Sequence, residues 1–246
     1  MTTLTTNKIS PLAVRRYNYA SQFGDELPDL LQEIERLLLS GDYVLSRDVT
    51  RFEQAFAEYL DIPHVRGLNS GTDALILALL ALGIGPGDEV ITQANTFYAT
   101  VAAIRLVGAT PVLVDAEEET CLIDVSQISA AITARTRAII PVHLYGKPTP
   151  MMPILALAER HGLAVVEGAA QAHGARLSGR RVGTFGTFGC FSFHPSKNLA
   201  AAGDAGAIVT RDVRLDAEIQ RRRALGQARQ NQHVTLGYNS KLDALQ

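Results

Sequence analysis

Short apolar segments alternate with longer segments of helical periodicity through most of this sequence. The strand-like segments are residues 65–68, 89–92, 111–114, 138–143, 163–166, 189–193 and 207–209. The helical segments are residues 72–82, 100–107, 125–133, 152–161 and 213–225. Strands that are apolar on both faces are typical of a parallel sheet covered by helices on each side. The alternation therefore predicts an α/β domain with a mostly parallel sheet and helices on both faces.

The two ends of the chain differ from this pattern. Residues 1–25 show little periodicity and are predicted to form an irregular N-terminal arm, whereas residues 27–39 and 50–60 have the spacing of amphipathic helices. Because no Gly/Ser-rich linker follows, residues 26–246 are predicted to form a single domain. The apolar spacing of residues 241–246 predicts the start of another helix, and a chain that ends there is expected to be truncated or incomplete.

Composition excludes several classes of protein. The chain is 47% hydrophobic and 20% charged with a formal net charge of −2, so nothing favours binding to nucleic acid or to a membrane surface. Every long apolar stretch is interrupted before about 18 residues, too short to span a bilayer. The N-terminus lacks the pattern of a secretion signal, and the two cysteines lack metal-ligand or redox spacing. We expect a cytoplasmic protein without a metal site.

An anion site is predicted where residues 69–73 (NSGTD) join a strand to an apolar helix. The first amide groups of a helix have no partner within the helix, and small residues let an anion approach them. Ser70 or Thr72 can add a hydroxyl donor. The alternative is a plain helix cap, with Asp73 in the first turn, that binds nothing.

A lysine follows a buried strand in residues 191–198 (FSFHPSKN), ahead of Gly203 and Asp204. Such an amine can form a Schiff base with an aldehyde cofactor if burial or a neighbouring cation keeps it partly neutral. A solvated loop lysine is the alternative, although the surrounding aromatic residues and glycines are unusual for an idle surface charge.

Two further segments are candidates for ligand contact. Gln171 and His173 follow a strand, where ligands bind in open parallel sheets. Phe97, within residues 96–98, can present an aromatic face to a planar ligand. The alternatives are a core or loop histidine with a satisfied hydrogen bond and core aromatic side chains. Glycine spacings for dinucleotide binding, a phosphate-binding loop and a Gly-x-Ser-x-Gly elbow are all missing.

The order of these motifs resembles the DegT/DnrJ/StrS family of fold-type I aminotransferases that depend on pyridoxal 5′-phosphate (PLP). The matching segments are residues 67–75 (GLNSGTDAL), 95–100 (NTFYAT), 167–174 (EGAAQAHG), 191–198 (FSFHPSKN) and 237–243 (GYNSKLD). Members act mainly on nucleotide-linked keto-sugars. The resemblance covers residues 27–246, so it implies the PLP-binding large domain of such an enzyme.

The resemblance implies a role for each matching position. Lys197 would hold PLP covalently and carry a proton between substrate and cofactor. Phe97 would stack on the pyridine ring and Gln171 would lie against the cofactor. The groups that would bind the phosphate are Gly71, Thr72, Ser192 and, from the neighbouring subunit, Asn239, which implies a homodimer.

The sequence departs from the family pattern in two places. Gly168 stands where the family usually has an aspartate that pairs with the protonated pyridine nitrogen and keeps the ring an effective electron sink. Glu167 is not expected to substitute, because neighbouring strand residues point to opposite faces. The chain also ends without the family's smaller C-terminal domain.

The resemblance implies transfer of an amino group from an amino acid, glutamate being expected, to a nucleotide-linked keto-sugar. The alternative is a catalytically impaired relative or a fragment that binds PLP or a partner without turnover. A PLP-dependent sugar dehydratase of the same family is disfavoured, because those members replace the lysine that stands here as Lys197. A nicotinamide-dependent dehydrogenase is disfavoured because the glycine fingerprint is missing.

Overall fold

The computed structural model describes residues 17–246, which belong to two compact units divided after Gly41. The first unit contains 3₁₀ turns at Tyr19–Ser21 and Gly24–Glu26 and helix α1, Leu27–Ser40. Helix α1 ends where Gly41 adopts a left-handed conformation with φ of 73°. The helix predicted over residues 27–39 is therefore confirmed. The predicted irregular arm falls largely on residues 1–16, which lie outside the described residues.

The second unit, Asp42–Gln246, holds the alternating strands and helices. Its helices are α2 Arg47–Leu60, α3 Gly71–Ala81, α4 Tyr98–Leu106, α5 Val125–Ala131, α6 Met151–His161 and α7 Val213–Arg223. Its strands are β1 His64–Leu68, β2 Glu89–Gln93, β3 Thr110–Val114, β4 Thr136–Ile140, β5 Ala164–Gly168, β6 Arg176–Leu177, β7 Arg180–Arg181, β8 Phe188–Ser192, β9 Gly206–Thr210, β10 Gln227–Arg229 and β11 Gln232–His233. Each strand and helix predicted between residues 50 and 225 is present, with ends shifted by a few residues.

Seven strands form one sheet in the order β1-β9-β8-β5-β4-β2-β3. The pairs β2–β3, β2–β4, β4–β5 and β5–β8 are parallel, whereas β9 is antiparallel to both of its neighbours, β8 and β1. Strand β9 alone therefore runs against the other six strands of this sheet. The mostly parallel α/β fold predicted from the alternation is confirmed, and two small hairpins, β6–β7 and β10–β11, lie outside it.

Successive residues of the central strands bury their side chains on opposite faces of the sheet. In β4, Ile140 packs with helices α3 and α4, whereas Ile139 packs with α5 and α6. In β5, Val166 and Val165 divide in the same way. This double burial explains why the strands are continuously apolar. It also explains α3, which is buried from Ala74 to Leu79 and is therefore apolar all round.

The prediction that a helix starts within residues 241–246 is wrong. Lys241 and Asp243 instead form isolated antiparallel bridges with Leu68 and Val44. The amide of Ala244 donates to the carbonyl of Tyr43 at 2.7 Å. Because starting a helix is costly, a short apolar pattern does not form one when neighbouring extended segments already satisfy its backbone groups.

Candidate cofactor site

Most of the predicted site residues follow one of four strands that share one direction, Ser192 is the last residue of β8, and Asn239 follows β11. Residues after β1, β2, β5 and β8 therefore lie at one edge of the sheet, the edge formed by the carboxyl ends of these strands. Open α/β sheets bind ligands at this edge. The topology thus brings together segments that are more than 100 residues apart in sequence.

The N-terminus of α3 is the anion-binding part of this edge. Ser70 caps the helix, and its hydroxyl accepts a hydrogen bond from the amide of Asp73 at 3.1 Å. The cap interpretation is therefore confirmed for the Ser70 side chain. The amides of Gly71 and Thr72, in the first turn, have no partner within the helix and are available to an anion.

Glycine at position 71 lets this helix begin directly against the end of β8. A Cβ atom added to Gly71 would lie 2.6 Å from Cβ of Ser192. Ser192 is buried, and its hydroxyl accepts a hydrogen bond from the amide of His194 at 3.3 Å. Ser192 therefore lies beside the first turn of α3, and its predicted contact with a cofactor phosphate stays a prediction.

Lys197 lies on a turn after β8, where its amide donates to the carbonyl of His194 at 2.8 Å. Its side chain is half-buried, and this burial lowers the pKa of the amine. Removal from water disfavours the charged form, so a larger fraction of Lys197 is neutral than for a solvated lysine. Lys197 is therefore less solvated than an ordinary loop lysine, and its role as a Schiff-base lysine stays a prediction.

Phe97 faces this amine. The Nζ atom of Lys197 lies 6.0 Å from the centre of the Phe97 ring, at the outer limit of a cation–π contact. Phe97 is 68% exposed and Tyr98 is 77% exposed. The alternative that these aromatic side chains belong to the core is therefore wrong, and the ring of Phe97 is open to a planar ligand.

Gln171 is held by a residue that the sequence did not point to. The amide of Tyr145 donates to Oε1 of Gln171 at 2.6 Å. Tyr145 adopts a left-handed conformation, with φ of 54°, on a 3₁₀ turn after β4. Because its oxygen is engaged, Gln171 presents the NH₂ group of its side chain as a donor to a ligand.

His173 is tied to the lysine turn through Asn198. Nδ1 of His173 lies 2.8 Å from Oδ1 of Asn198, and Nδ2 of Asn198 donates to the His173 carbonyl at 3.0 Å. Burial lowers the pKa of His173, and the charge of Lys197 lowers it further against the opposing effect of the bond to Asn198. His173 is therefore a loop histidine with a satisfied hydrogen bond, as the alternative holds, whereas its buried Nε2 atom has no hydrogen-bond partner among the described residues.

Glu167 is committed to the interior of the protein. It is fully buried, and its carboxylate accepts hydrogen bonds from the amides of Gly183, Phe185 and Gly186 at 2.6–2.7 Å. Nε2 of His143, also fully buried, lies 3.0 Å away. This carboxylate has no capacity left for a ligand. Gly168 instead lies against Val142, whose Cγ2 atom would be 3.0 Å from an added Cβ.

Asn239 lies next to the N-terminal segment of α3. The carbonyl of the following residue, Ser240, accepts a hydrogen bond from the amide of Asn69 at 3.1 Å. The hydroxyl of Ser240 donates to the carboxylate of Asp73. Asn239 itself pairs with Ala224 and is exposed. Its predicted contact with a second subunit's cofactor stays a prediction.

Two residues of this edge were missed by sequence reasoning. Asn198 directly follows Lys197, and its short polar side chain is of the kind that bonds to nearby backbone groups. Tyr145 precedes a glycine, the combination expected at a turn. Neither sequence feature shows that Asn198 bonds to His173 or that Tyr145 bonds to Gln171, because only the folded chain brings these residues together.

Residues 17–246 contain no further candidate for a metal site or a membrane span. In that range no three His, Cys, Asp or Glu side chains are grouped so as to hold a metal ion. No helix there combines the length and the apolar character needed to cross a bilayer.

The sequence matches known proteins over almost its whole length. The model of the DegT/DnrJ/EryC1/StrS aminotransferase family matches residues 25–246. A UDP-N-acetyl-3-dehydro-α-D-glucosamine 3-aminotransferase of Acidithiobacillus ferrooxidans is 47% identical over 234 residues, which cover 95% of this chain and 63% of the relative. A dTDP-3-amino-3,4,6-trideoxy-α-D-glucose transaminase of Streptomyces venezuelae is 49% identical over 213 residues, which cover 87% of this chain and 56% of the relative.

The fold is also similar to solved structures. The crystal structure of NtdA from Bacillus subtilis, with bound cofactor PMP, superimposes with a TM-score of 0.86 and 38% sequence identity. The match covers 91% of this chain and 51% of that structure. This chain therefore spans between half and two thirds of the length of these proteins. The family match, the sequence identity and the shared fold agree, and the chain belongs to the DegT/DnrJ/EryC1/StrS aminotransferase family.

Proposed function

We propose that this chain is the PLP-binding part of an aminotransferase that moves an amino group from an amino acid, glutamate, to a nucleotide-linked keto-sugar. The observation that carries the proposal is the half-buried Lys197 amine, 6.0 Å from the exposed Phe97 ring. Similar proteins named as UDP-sugar and dTDP-sugar aminotransferases support the substrate class.

The residues at the edge of the sheet fit PLP in three respects. The first turn of α3 supplies amide donors for a phosphate, with the hydroxyls of Thr72 and Ser192 close by. Lys197 supplies a partly neutral amine for an aldehyde. Phe97 and Gln171 supply a ring face and an NH₂ donor for a planar, polar ring. The fit is incomplete at Gly168, where no carboxylate is present for the pyridine nitrogen.

Each residue would contribute in a different way. When bound, PLP supplies an electron-withdrawing ring that stabilises negative charge on the substrate carbon. Lys197 would hold the cofactor covalently, and its Nζ atom, once released by substrate, would carry the proton between the substrate carbon and the cofactor. Phe97 would keep the ring plane fixed and shield it from water. Gln171 would orient the ring through its NH₂ group.

We also propose that the functional unit is a homodimer, with Asn239 of each subunit completing the phosphate site of the other. Asn239 is exposed and lies close to the helix that begins at Gly71. A side chain in this position is accessible to a second copy of the chain.

A second candidate function follows from Gly168. Without a carboxylate at this position, the chain could bind PLP through Lys197 and yet fail to stabilise the charge that transamination creates. This candidate predicts PLP binding with little or no turnover.

The proposal is tested by mixing the purified chain with PLP, recording its absorption spectrum before and after borohydride, and mapping the modified peptide. We expect a band of covalently bound PLP that reduces onto Lys197. Lys197→Ala should abolish both the band and all aminotransfer between glutamate and nucleotide-linked keto-sugars. An unchanged rate in Lys197→Ala would overturn the proposed function. Binding without turnover in the parent chain would favour the second candidate.

A further inference from the structure

The turn that carries Lys197 is attached to the segment after β5 through one residue, Asn198. Within the turn, the amide of Lys197 donates to His194, and the amide of Ala201 donates to Phe193 at 2.7 Å. These bonds close the turn on itself and on the end of β8. The two hydrogen bonds of Asn198 reach instead to His173, which belongs to the segment that carries Gln171.

The geometry determines which atoms carry the protons in this contact. The Nδ2 group of Asn198 must face the His173 carbonyl, because an amide NH₂ group donates and a carbonyl accepts. Oδ1 of Asn198 then faces Nδ1 of His173, so Nδ1 is the protonated nitrogen of the ring. Neutral His173 therefore carries its lone pair on Nε2, the atom that is buried without a partner among the described residues.

Packing holds the imidazole in this orientation. The ring centre of His173 lies 5.5 Å from that of Phe191 and 5.4 Å from that of Phe193. Both phenylalanines are buried, so the ring cannot move aside without disturbing the core. A histidine ring held in one orientation next to the turn that carries Lys197 can fix the position of that turn.

We propose that His173 and Asn198 are positioning residues that set the place of the Lys197 amine relative to Gln171. His173 is two residues from Gln171 and Asn198 is adjacent to Lys197. One double hydrogen bond therefore joins the residue that would hold PLP covalently to the residue that would orient its ring. The functional consequence rests on the proposed function, whereas the effect on the amine does not.

The first test measures the Lys197 amine in protein that contains no PLP. The pH dependence of its labelling by an amine-specific reagent, followed by peptide mapping, reports the pKa of this side chain. His173→Leu and Asn198→Ala should each raise that pKa towards the ordinary value of a lysine, because the released side chain becomes solvated. His173→Asn keeps an N–H donor near the Nδ1 position and should retain the parent pKa.

The second test measures PLP binding by titration and by borohydride trapping on Lys197. His173→Leu and Asn198→Ala should each weaken binding by about three- to tenfold, the loss expected for one ordinary hydrogen bond. The double variant should bind no more weakly than Asn198→Ala, because Asn198→Ala already removes the one hydrogen bond that His173→Leu removes. His161→Leu alters an exposed histidine at the end of α6 and serves as the matched control.

The outcomes separate the two proposals. If the parent chain forms no covalent adduct, the proposed function fails and the labelling experiment still decides the role of the pair. If the adduct forms but His173→Leu and Asn198→Ala match the parent in labelling and affinity, the positioning role is overturned. Equal losses of PLP affinity in His173→Leu and His173→Asn would also overturn the positioning role. The N–H donor that His173→Asn retains should restore binding.

Discussion

At the scale of single residues, neighbouring groups determine which hydrogen-bond donors and acceptors of the site remain free for a ligand. Tyr145 occupies the oxygen of Gln171, and Asn198 determines which nitrogen of His173 is protonated. The carboxylate of Glu167 is consumed by backbone amides, so it cannot compensate for the glycine that follows it. The hydrogen-bonding groups that stay available at this edge are therefore set by neighbouring side chains and backbone amides.

Gly168→Asp should raise the rate of transamination above that of the parent chain. A carboxylate paired with the pyridine nitrogen forms a charge-assisted hydrogen bond of about 1.5–3 kcal/mol, which corresponds to tenfold or more in rate. The new Cβ would meet Cγ2 of Val142 at 3.0 Å, so Val142 must shift by a few tenths of an ångström. The rate is measured with glutamate and nucleotide-linked keto-sugars.

Gly168→Asn is the matched control for Gly168→Asp, because it has the same size without the charge. It should show no gain. A folded Gly168→Asp protein, verified by its melting temperature, that transaminates no faster than the parent would show that Gly168 is not the limiting feature.

At the scale of secondary-structure elements, the start of α3 depends on close contact with β8. Glycine at position 71 is required because the backbone and Cβ of Ser192 occupy the space where a side chain would lie. The apolar residues of α3 pack against the sheet, and this packing holds the N-terminus of the helix at the sheet edge. Packing and the proposed anion binding thus depend on the same few residues.

Gly71→Ala should destabilise the protein and weaken PLP binding together. The added methyl group would lie 2.6 Å from Cβ of Ser192 and 3.1 Å from the carbonyl oxygen of Phe191. Both atoms belong to a buried strand, so we expect an overpacking cost of about 1–3 kcal/mol in the free energy of unfolding. Chemical denaturation and PLP titration measure the two effects.

The control is Gly85→Ala, where the nearest atom would be 3.6 Å from the added Cβ. This is an ordinary contact distance, and the change in stability should stay within about 0.5 kcal/mol. Equal stability of the Gly71→Ala and Gly85→Ala proteins would contradict the close-contact explanation.

At the scale of the whole molecule, a buried cluster of charges joins α2, β1 and α7. Arg66 bonds to both oxygens of Asp216 at 2.6 and 2.7 Å and to Glu53 at 3.1 Å, and Arg223 also bonds to Glu53. Burial alone would raise the pKa of Asp216, but the bonds from Arg66 outweigh it and hold this pKa below its usual value. The cluster should therefore make stability depend on pH.

Asp216→Asn should lower the free energy of unfolding by about 1–3 kcal/mol at neutral pH, because Arg66 loses one of its two carboxylate partners and keeps only Glu53. A carboxyl whose pKa is lower in the folded state stabilises above its unfolded pKa of about 3.9. In the parent chain this contribution should be lost as pH falls below about 4.

Urea denaturation across this pH range measures the effect. The Asp216→Asn protein should show a shallower loss of stability below about pH 4 than the parent. Glu118→Gln, at an exposed acidic residue, is the control and should follow the parent curve. Parallel curves for the parent and Asp216→Asn would contradict the assignment.

The sequence by itself determined the class of fold and the order of the motifs. Strands such as β4 and β5 are recognisable because both faces are buried, and burial on both faces leaves a continuous apolar pattern in the chain. Lys197, Gly71 and Gln171 were identified through the ordered resemblance to a family. The final helix was predicted wrongly, because local spacing does not show that Leu68 and Val44 pair with this segment.

Only the tertiary structure decided which side chains meet. His173 and Asn198 are 25 residues apart, and Tyr145 and Gln171 are 26 residues apart. The half-burial of Lys197 and the exposure of Phe97 likewise depend on how loops from different strands converge. Periodicity reports which face of an element is buried, whereas hydrogen bonds between loops depend on distances that only the assembled sheet creates.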